Sequence, residues 1–124
     1  MNAVEIEQAI TLLAEQSFDA ATFPYAFLEA FANKAMTLKS LKNGASNKSD
    51  VAGAVLQRNH IHISSTHKGE VSQTLDKLRA SPATARQKAK FILATDGDEL
   101  QAEDLINGTI VVCDYADFPN HFGA

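Results

Sequence analysis

The sequence has little of what commits a chain to a membrane, a disulfide framework or a bound nucleotide. Its single cysteine, Cys113, cannot form a disulfide within the chain, so a reducing compartment is expected. Residues 1–8 carry two glutamates and no lysine or arginine, which argues against a secretory signal or transit peptide. Apolar runs are only a few residues long, against the roughly 20 needed to span a bilayer. The expected location is therefore the cytoplasm. The glycines Gly44, Gly53, Gly69, Gly97, Gly108 and Gly123 are scattered, and none opens a strand-to-helix turn in the dinucleotide or Walker pattern. The chain contains no acidic residue two positions before a lysine, so the carboxylate–lysine pair that a metal-dependent nuclease needs is missing.

What is present is an ordinary globular composition. With 124 residues, 45% hydrophobic and 21% charged, the chain suits one domain able to bury a core, or a piece of something larger. The net charge of −4 conceals three blocks. Residues 1–33 hold five acids and no base, residues 34–90 hold all eleven lysines and arginines against three acids, and residues 91–124 hold seven acids and no base. Such blocks suit either a polyanion partner, a complementary protein surface, or acidic ends that fold back on the basic middle.

Helical spacing predicts a helix over 3–16 carrying Ile6, Ala9, Ile10 and Leu13, and a second from about Pro24 carrying Phe27, Leu28 and Phe31. A third is expected over 34–42, stopping at Asn43-Gly44. After a polar loop over 43–53, residues 54–64 read as one extended segment with QRNH in its middle. A helix over 70–80 follows, then a helical stretch over 83–90. Strands are expected over 91–95, 100–105 and 109–115, with turns at Asp96-Gly97 and Asn107-Gly108. The terminal DFPNHFGA carries no structural signal of its own. The expected fold is α+β: a helical part, 1–43, packed on a small mixed sheet within 44–124.

Few residues suggest chemistry. On one continuous strand His60 and His62 share a face, and with Asp50 they would be the candidates for a hydrolase. With His67 and Cys113 they lack the spacing of a zinc site, and Cys113 sits inside an apolar VVC run where burial quietens a thiol. The basic middle is the stronger signal. Lys39, Lys42, Lys48, Arg58 and Lys68 are the candidates for contact with duplex backbone, and Lys77, Arg79, Arg86, Lys88 and Lys90 follow later in the same block. Aromatic platforms for single strands are missing from this block, and nothing in it points to sequence-specific readout.

Two strings, FLEAFANKAMTLKSLKNGASNKSDVAGAVLQRNHIHI and KFILATDGDELQAEDLINGTIVVCDYADFPNHFG, resemble the amino-terminal region of large bacterial DNA methyltransferases. These are the Mme-like (type IIL-related) single-chain restriction–modification proteins and nuclease-lacking methylases akin to them. The likeness runs from about residue 23 to 123, with NKSDV and VLQRN the most telling segments. It implies an amino-terminal piece of a longer protein that continues into a helical connector, an S-adenosylmethionine-dependent adenine methyltransferase and a DNA-recognition domain. In members that cut DNA, this piece has the restriction-endonuclease fold. The nuclease glutamate and lysine would fall on Ile61-His62-Ile63-Ser64, where this chain has His62 and Ser64, with Asp50 in place of the first aspartate. The resemblance thus implies a degenerate nuclease scaffold without catalytic residues or metal. Its partners would be duplex DNA and the other domains of the parent, with no membrane. An assembly module with no nucleic-acid role is the alternative that the charge blocks also fit.

Overall fold

The computed structural model of the protein describes residues 3–30, 35–42, 44 and 47–122. Helix α1 (Ala3–Glu15) forms where apolar residues recur at three- and four-residue spacing, which buries Ile10 completely and lays Ala9, Leu13 and Ala14 beside it. Helix α2 (Phe23–Ala30) has a proline in its first turn, where the missing N–H has no intrahelical partner to lose, and it buries Phe23, Phe27 and Leu28. Helix α3 (Ala35–Lys42) places Lys39 and Lys42 in its last turn, at the negative end of the helix dipole. Lys34, Phe31 and Asn43, which the sequence reading assigns to helix interiors and ends, lie outside the described residues.

Five strands follow: β1 (Val55–Gln57), β2 (Ile61–Ser65), β3 (Phe91–Thr95), β4 (Glu99–Asp104) and β5 (Ile110–Asp114). They lie side by side in chain order. Neighbours are antiparallel except β2 and β3, which are parallel in register from Ile61↔Phe91 to Ser65↔Thr95. A parallel pair needs a crossover, supplied here by α4 (Val71–Ala80) and α5 (Pro82–Arg86). The period of two along each strand then divides the sheet into two apolar faces. Ile61, Ile63, Leu93, Leu100 and Ala102 face α1 and α2, whereas Ile92 and Ala94 face Val71, Leu75 and Leu78 of α4. The α+β class expected from the sequence is what the chain adopts.

Two local readings are corrected. The segment 54–64 is a hairpin of two short strands, giving five strands where the sequence suggests four. Asn59 takes φ +63 and the His60 amide donates to the Gln57 carbonyl at 3.1 Å, so QRNH is the turn itself. His60 therefore leaves the strand, and the same-face pair with His62 does not exist. The second correction concerns DFPNHFGA. A 3₁₀ turn (Tyr115–Asp117) and α6 (Pro119–Phe122) carry Tyr115 and Phe118 into the core, with ring centroids 5.2 Å apart and Phe118 6.3 Å from Phe23.

The turn between β3 and β4 is tied down from both sides. Asp96 Oδ1 accepts from the amides of Asp98 and Glu99, and Oδ2 from the Gly69 amide ahead of α4. Burial pushes the Asp96 carboxyl up, but the backbone N–H groups of Glu99, Gly69 and Asp98 outweigh it and hold its pKa below the usual value. Gly97, at φ +92, lies under the Phe18 ring, where a β-carbon would stand 2.6 Å from a ring atom. That ring is partly buried and packs against Phe23 and Tyr115, so moving it disturbs both contacts. Gly97→Ala is expected to cost about 1–3 kcal/mol in chemical denaturation, from backbone strain and overpacking together. A loss under half a kcal/mol would contradict this packing.

Candidate functional site

The site the sequence points to lies on the α4 face of β2, where alternation turns His62 and Ser64 away from Ile61 and Ile63. His62 is completely buried. Its Nδ1 is 2.8 Å from Thr84 Oγ1, and that hydroxyl gives its own proton to the Leu78 carbonyl at 2.6 Å. Thr84 therefore accepts from His62, so Nδ1 carries the proton of the neutral ring and Nε2 takes the shorter of the Ser49 hydroxyl's two contacts, at 2.7 Å against 3.2 Å to the Val51 carbonyl. Burial drives the His62 pKa down to about 4 against the smaller opposing pull of Asp50, so the ring is neutral at pH 7.

Asp50 is next along the chain. Its carboxylate accepts from Ser81 Oγ and from the Ala83 amide at 3.4 Å, at the junction of α4 and α5. The Ser81 hydrogen bond is the main reason its pKa lies below the usual carboxylate range. Ser64 Oγ donates to the Ser65 carbonyl. Asp50, His62 and Ser64, the positions the resemblance compares with nuclease ligands, are thus gathered around β2, and each is hydrogen-bonded within the fold.

Chemically, a serine hydroxyl 2.7 Å from an imidazole nitrogen has the spacing of a nucleophile and its base. The rest of the arrangement works against that use. The base is oriented by a hydroxyl, with no carboxylate on Nδ1 to stabilise an imidazolium, and a pKa of about 4 leaves it little appetite for a proton at neutral pH. What the network does do is fasten the loop at Ser49 and Asp50 to β2, α4 and α5. Among the described residues, no group of three or more His, Cys, Asp or Glu is placed to hold a metal ion. Cys113 is half-buried, and burial raises its thiol pKa, with the Asp117, Asp114 and Glu99 carboxylates adding to the effect.

Two cavities adjoin this sheet. A cleft of about 340 Å³ lies beyond the end of β2 and is lined by Ser64, Ser65, Thr66, Glu70, Thr74 and Lys77 among others. Ser65 Oγ is buried there without a hydrogen-bond partner among the described residues. On the opposite face, a smaller cavity of about 130 Å³ is lined by Phe27, His60, Phe91, Leu93 and Ala102. His60 Nδ1 is 2.7 Å from Gln57 Oε1, and burial together with the Lys90 ammonium lowers the pKa of its ring. His60 and His62 thus lie on opposite faces of the sheet.

The five sequence candidates for DNA contact are not brought into one patch. Lys39 and Lys42 are on α3, with the Lys42 ammonium 5.6 Å from the centre of the Tyr25 ring. Lys48 flanks β1, its amide donating to the Leu56 carbonyl. Arg58 is in the turn before β2, and Lys68 is past the other end of that strand, 3.2 Å from Asp98. The assembled basic surface is a different one. Because β2 and β3 are parallel, their starting ends adjoin. The Asn59 amide donates to the Gln87 carbonyl at 2.8 Å and the Lys90 amide to the His60 carbonyl at 2.8 Å. This stitching sets Arg58 beside the segment bearing Arg86, Lys88 and Lys90, about 30 residues away in sequence. The sequence reading had these residues only as members of a long block, since nothing local announces which of its cations converge.

Comparison with known proteins bears on the scaffold. A model of the family described as MmeI, N-terminal domain, matches residues 1–124. The chain belongs to the MmeI N-terminal domain family. This agrees with the resemblance carried by the NKSDV and VLQRN segments and places the domain in the context of restriction–modification. No curated protein and no solved structure matches the chain. On β2 of this MmeI-type domain, His62 is a completely buried neutral imidazole and Ser64 a buried serine. None of its described helices is long and apolar enough to cross a membrane.

Proposed function

We propose that these 124 residues are a non-catalytic amino-terminal domain of a larger DNA adenine methyltransferase of the restriction–modification type. Its role in this reading is to contact DNA backbone or to pack on the methyltransferase domain. The observation that carries the reading is His62. In a family tied to DNA restriction, the strand position where the resemblance expects a metal-binding carboxylate holds a fully buried histidine whose two ring nitrogens are already hydrogen-bonded. S-adenosylmethionine would be held by parts of the parent outside this stretch, which has no glycine-rich loop to receive it.

The test has two arms. With magnesium or manganese, the wild-type chain and His62→Ala should both leave plasmid DNA uncut, and cleavage by the wild type that His62→Ala loses would overturn the non-catalytic reading. Titration with duplex DNA should show binding that weakens steeply between about 50 and 200 mM salt, as expected when lysines and arginines displace counterions. Binding absent at low salt, or indifferent to salt, removes the DNA-contact half.

One observation favours the assembly alternative. Strand β5 ends the sheet, and Ile110 and Val112 on it are 56% and 59% exposed, close to Ile106 at 74%. An uncovered apolar edge is a surface other proteins or domains use. Light scattering separates the readings: self-association that grows with concentration, without any DNA shift, favours assembly.

A further inference from the structure

We infer that the surface which meets the nucleic acid is the end of the sheet formed by the β1–β2 turn and the α5–β3 segment, with Arg58, Arg86, Lys88 and Lys90 as its phosphate-binding groups. The inference rests on the DNA-contact reading above and goes further by assigning the contact to a set of residues that only the fold brings together.

Three observations carry it. The first is juxtaposition. Two backbone hydrogen bonds at 2.8 Å, Asn59 to Gln87 and Lys90 to His60, clamp the turn to the segment, so the cations of both stand at one end of the molecule. The second is the absence of neutralisation. Elsewhere in the basic middle Lys68 is ion-paired with Asp98 and Arg79 with both Asp76 and Glu103, whereas Lys39, Lys42, Lys48 and Lys77 make no ion pair with a described residue. None of Arg58, Arg86, Lys88 and Lys90 makes an ion pair with a described residue, and all four are exposed. The nearby carboxylate of Asp104, the last residue of β4 and the register partner of Phe91, accepts at Oδ1 from the Ile106 and Asn107 amides and makes no ion pair with these cations. The third is backbone geometry. Lys88 has φ +58, an unfavourable conformation for a lysine, and Asn59, a residue type that tolerates the left-handed region, has φ +63. The turn and the segment that present the cations are thus both held in left-handed backbone.

A polyanion is the ligand such a surface fits. Uncompensated guanidinium and ammonium groups on adjoining loops repel one another, and phosphates on a regular backbone relieve that repulsion while releasing counterions. Arginine and lysine contacts to phosphate position a duplex and by themselves carry no sequence information.

The experiment uses the full 124-residue chain and a fluorescently labelled duplex of about 20 base pairs. Two triple variants have the same net charge: Arg58→Glu, Arg86→Glu, Lys90→Glu at the proposed surface, and Lys39→Glu, Lys42→Glu, Lys48→Glu away from it. Lys88→Asn is added as a single variant because asparagine tolerates positive φ. Thermal unfolding confirms that each variant folds. The first triple should lose more than about ten-fold in affinity at low salt and flatten the salt dependence by nearly one unit of slope per lost contact. The second should lose less than about three-fold, and Lys88→Asn should weaken binding two- to five-fold. Equal losses in the two triples would mean that net charge alone matters, and the assignment would fall while DNA contact stood. No binding by the wild type at low salt would bring down the reading and the assignment together.

Discussion

Phe118→Ala is expected to lower the stability of the domain by about 3–5 kcal/mol, the range for removing a fully buried phenylalanine. Phe118 has no exposed surface and contacts the aromatic group formed by Phe23, Phe27 and Tyr115, at centroid distances of 6.3, 6.2 and 5.2 Å. The cost combines the lost transfer free energy with a cavity that these rings cannot close, because Phe23 and Tyr115 are themselves held by Phe18. Urea unfolding of wild type and variant measures it directly. Phe118→Leu, which keeps most of the volume, should recover more than half of the loss. A change under about 1 kcal/mol would mean that the C-terminal segment does not close this core.

The second large effect is a dependence on pH. His62 has a pKa of about 4 in the folded chain, against 6.5 for an unperturbed imidazole. Between these values the unfolded chain takes up a proton that the native chain refuses, so stability is complete above about pH 6.5 and falls as pH drops toward 4. At 1.36 kcal/mol per pKa unit, the loss across that window is about 3 kcal/mol from this residue. His60, whose pKa is lowered by burial and by Lys90, contributes with the same sign as pH falls below 6.5. Asp50 and Asp96 have depressed pKa values, so what they contribute is lost only at more acid pH, below the ordinary carboxylate value of 3.8. Equilibrium unfolding at pH 7 and pH 4.5 separates these contributions. His62→Gln cannot take up a proton, so the stability difference between the two pH values should shrink by most of the expected 3 kcal/mol. An unchanged difference would show that the Ser49–His62–Thr84 chain is not the acid-sensitive point.

The same network bears on the proposed non-catalytic role. A carboxylate in the place of His62 would be in an apolar layer beside Leu78 and Ile92, where it would need a metal ion or a cation to offset desolvation. A neutral imidazole can be buried there because both of its nitrogens find a hydroxyl. The position thus suits holding the Ser49 loop and the α4–α5 junction together, which is a structural task.

Some of this was legible in one dimension. Periodic apolar residues announced α1, α2 and α4, and the Asp-Gly and Asn-Gly pairs marked the two hairpin turns. Other features were not legible. The hairpin at 54–64 was hidden because Gln57 to His60 contain no glycine or proline, so the turn depends on one asparagine entering the left-handed region. The C-terminal segment was missed because Tyr115 and Phe118 show no period of their own and become core residues only when α1 and α2 cover them. His60 and His62 were separated by that same hidden turn.

The order and spacing of apolar residues determined the α+β class, because it follows from short-range periodicity, and the resemblance of the NKSDV and VLQRN segments pointed to the family that the whole chain matches. Only the tertiary structure decided which cations stand together and which are neutralised. A parallel β2–β3 pair brings the starts of two strands about 30 residues apart to one end of the sheet, and no local pattern encodes a contact made through a crossover.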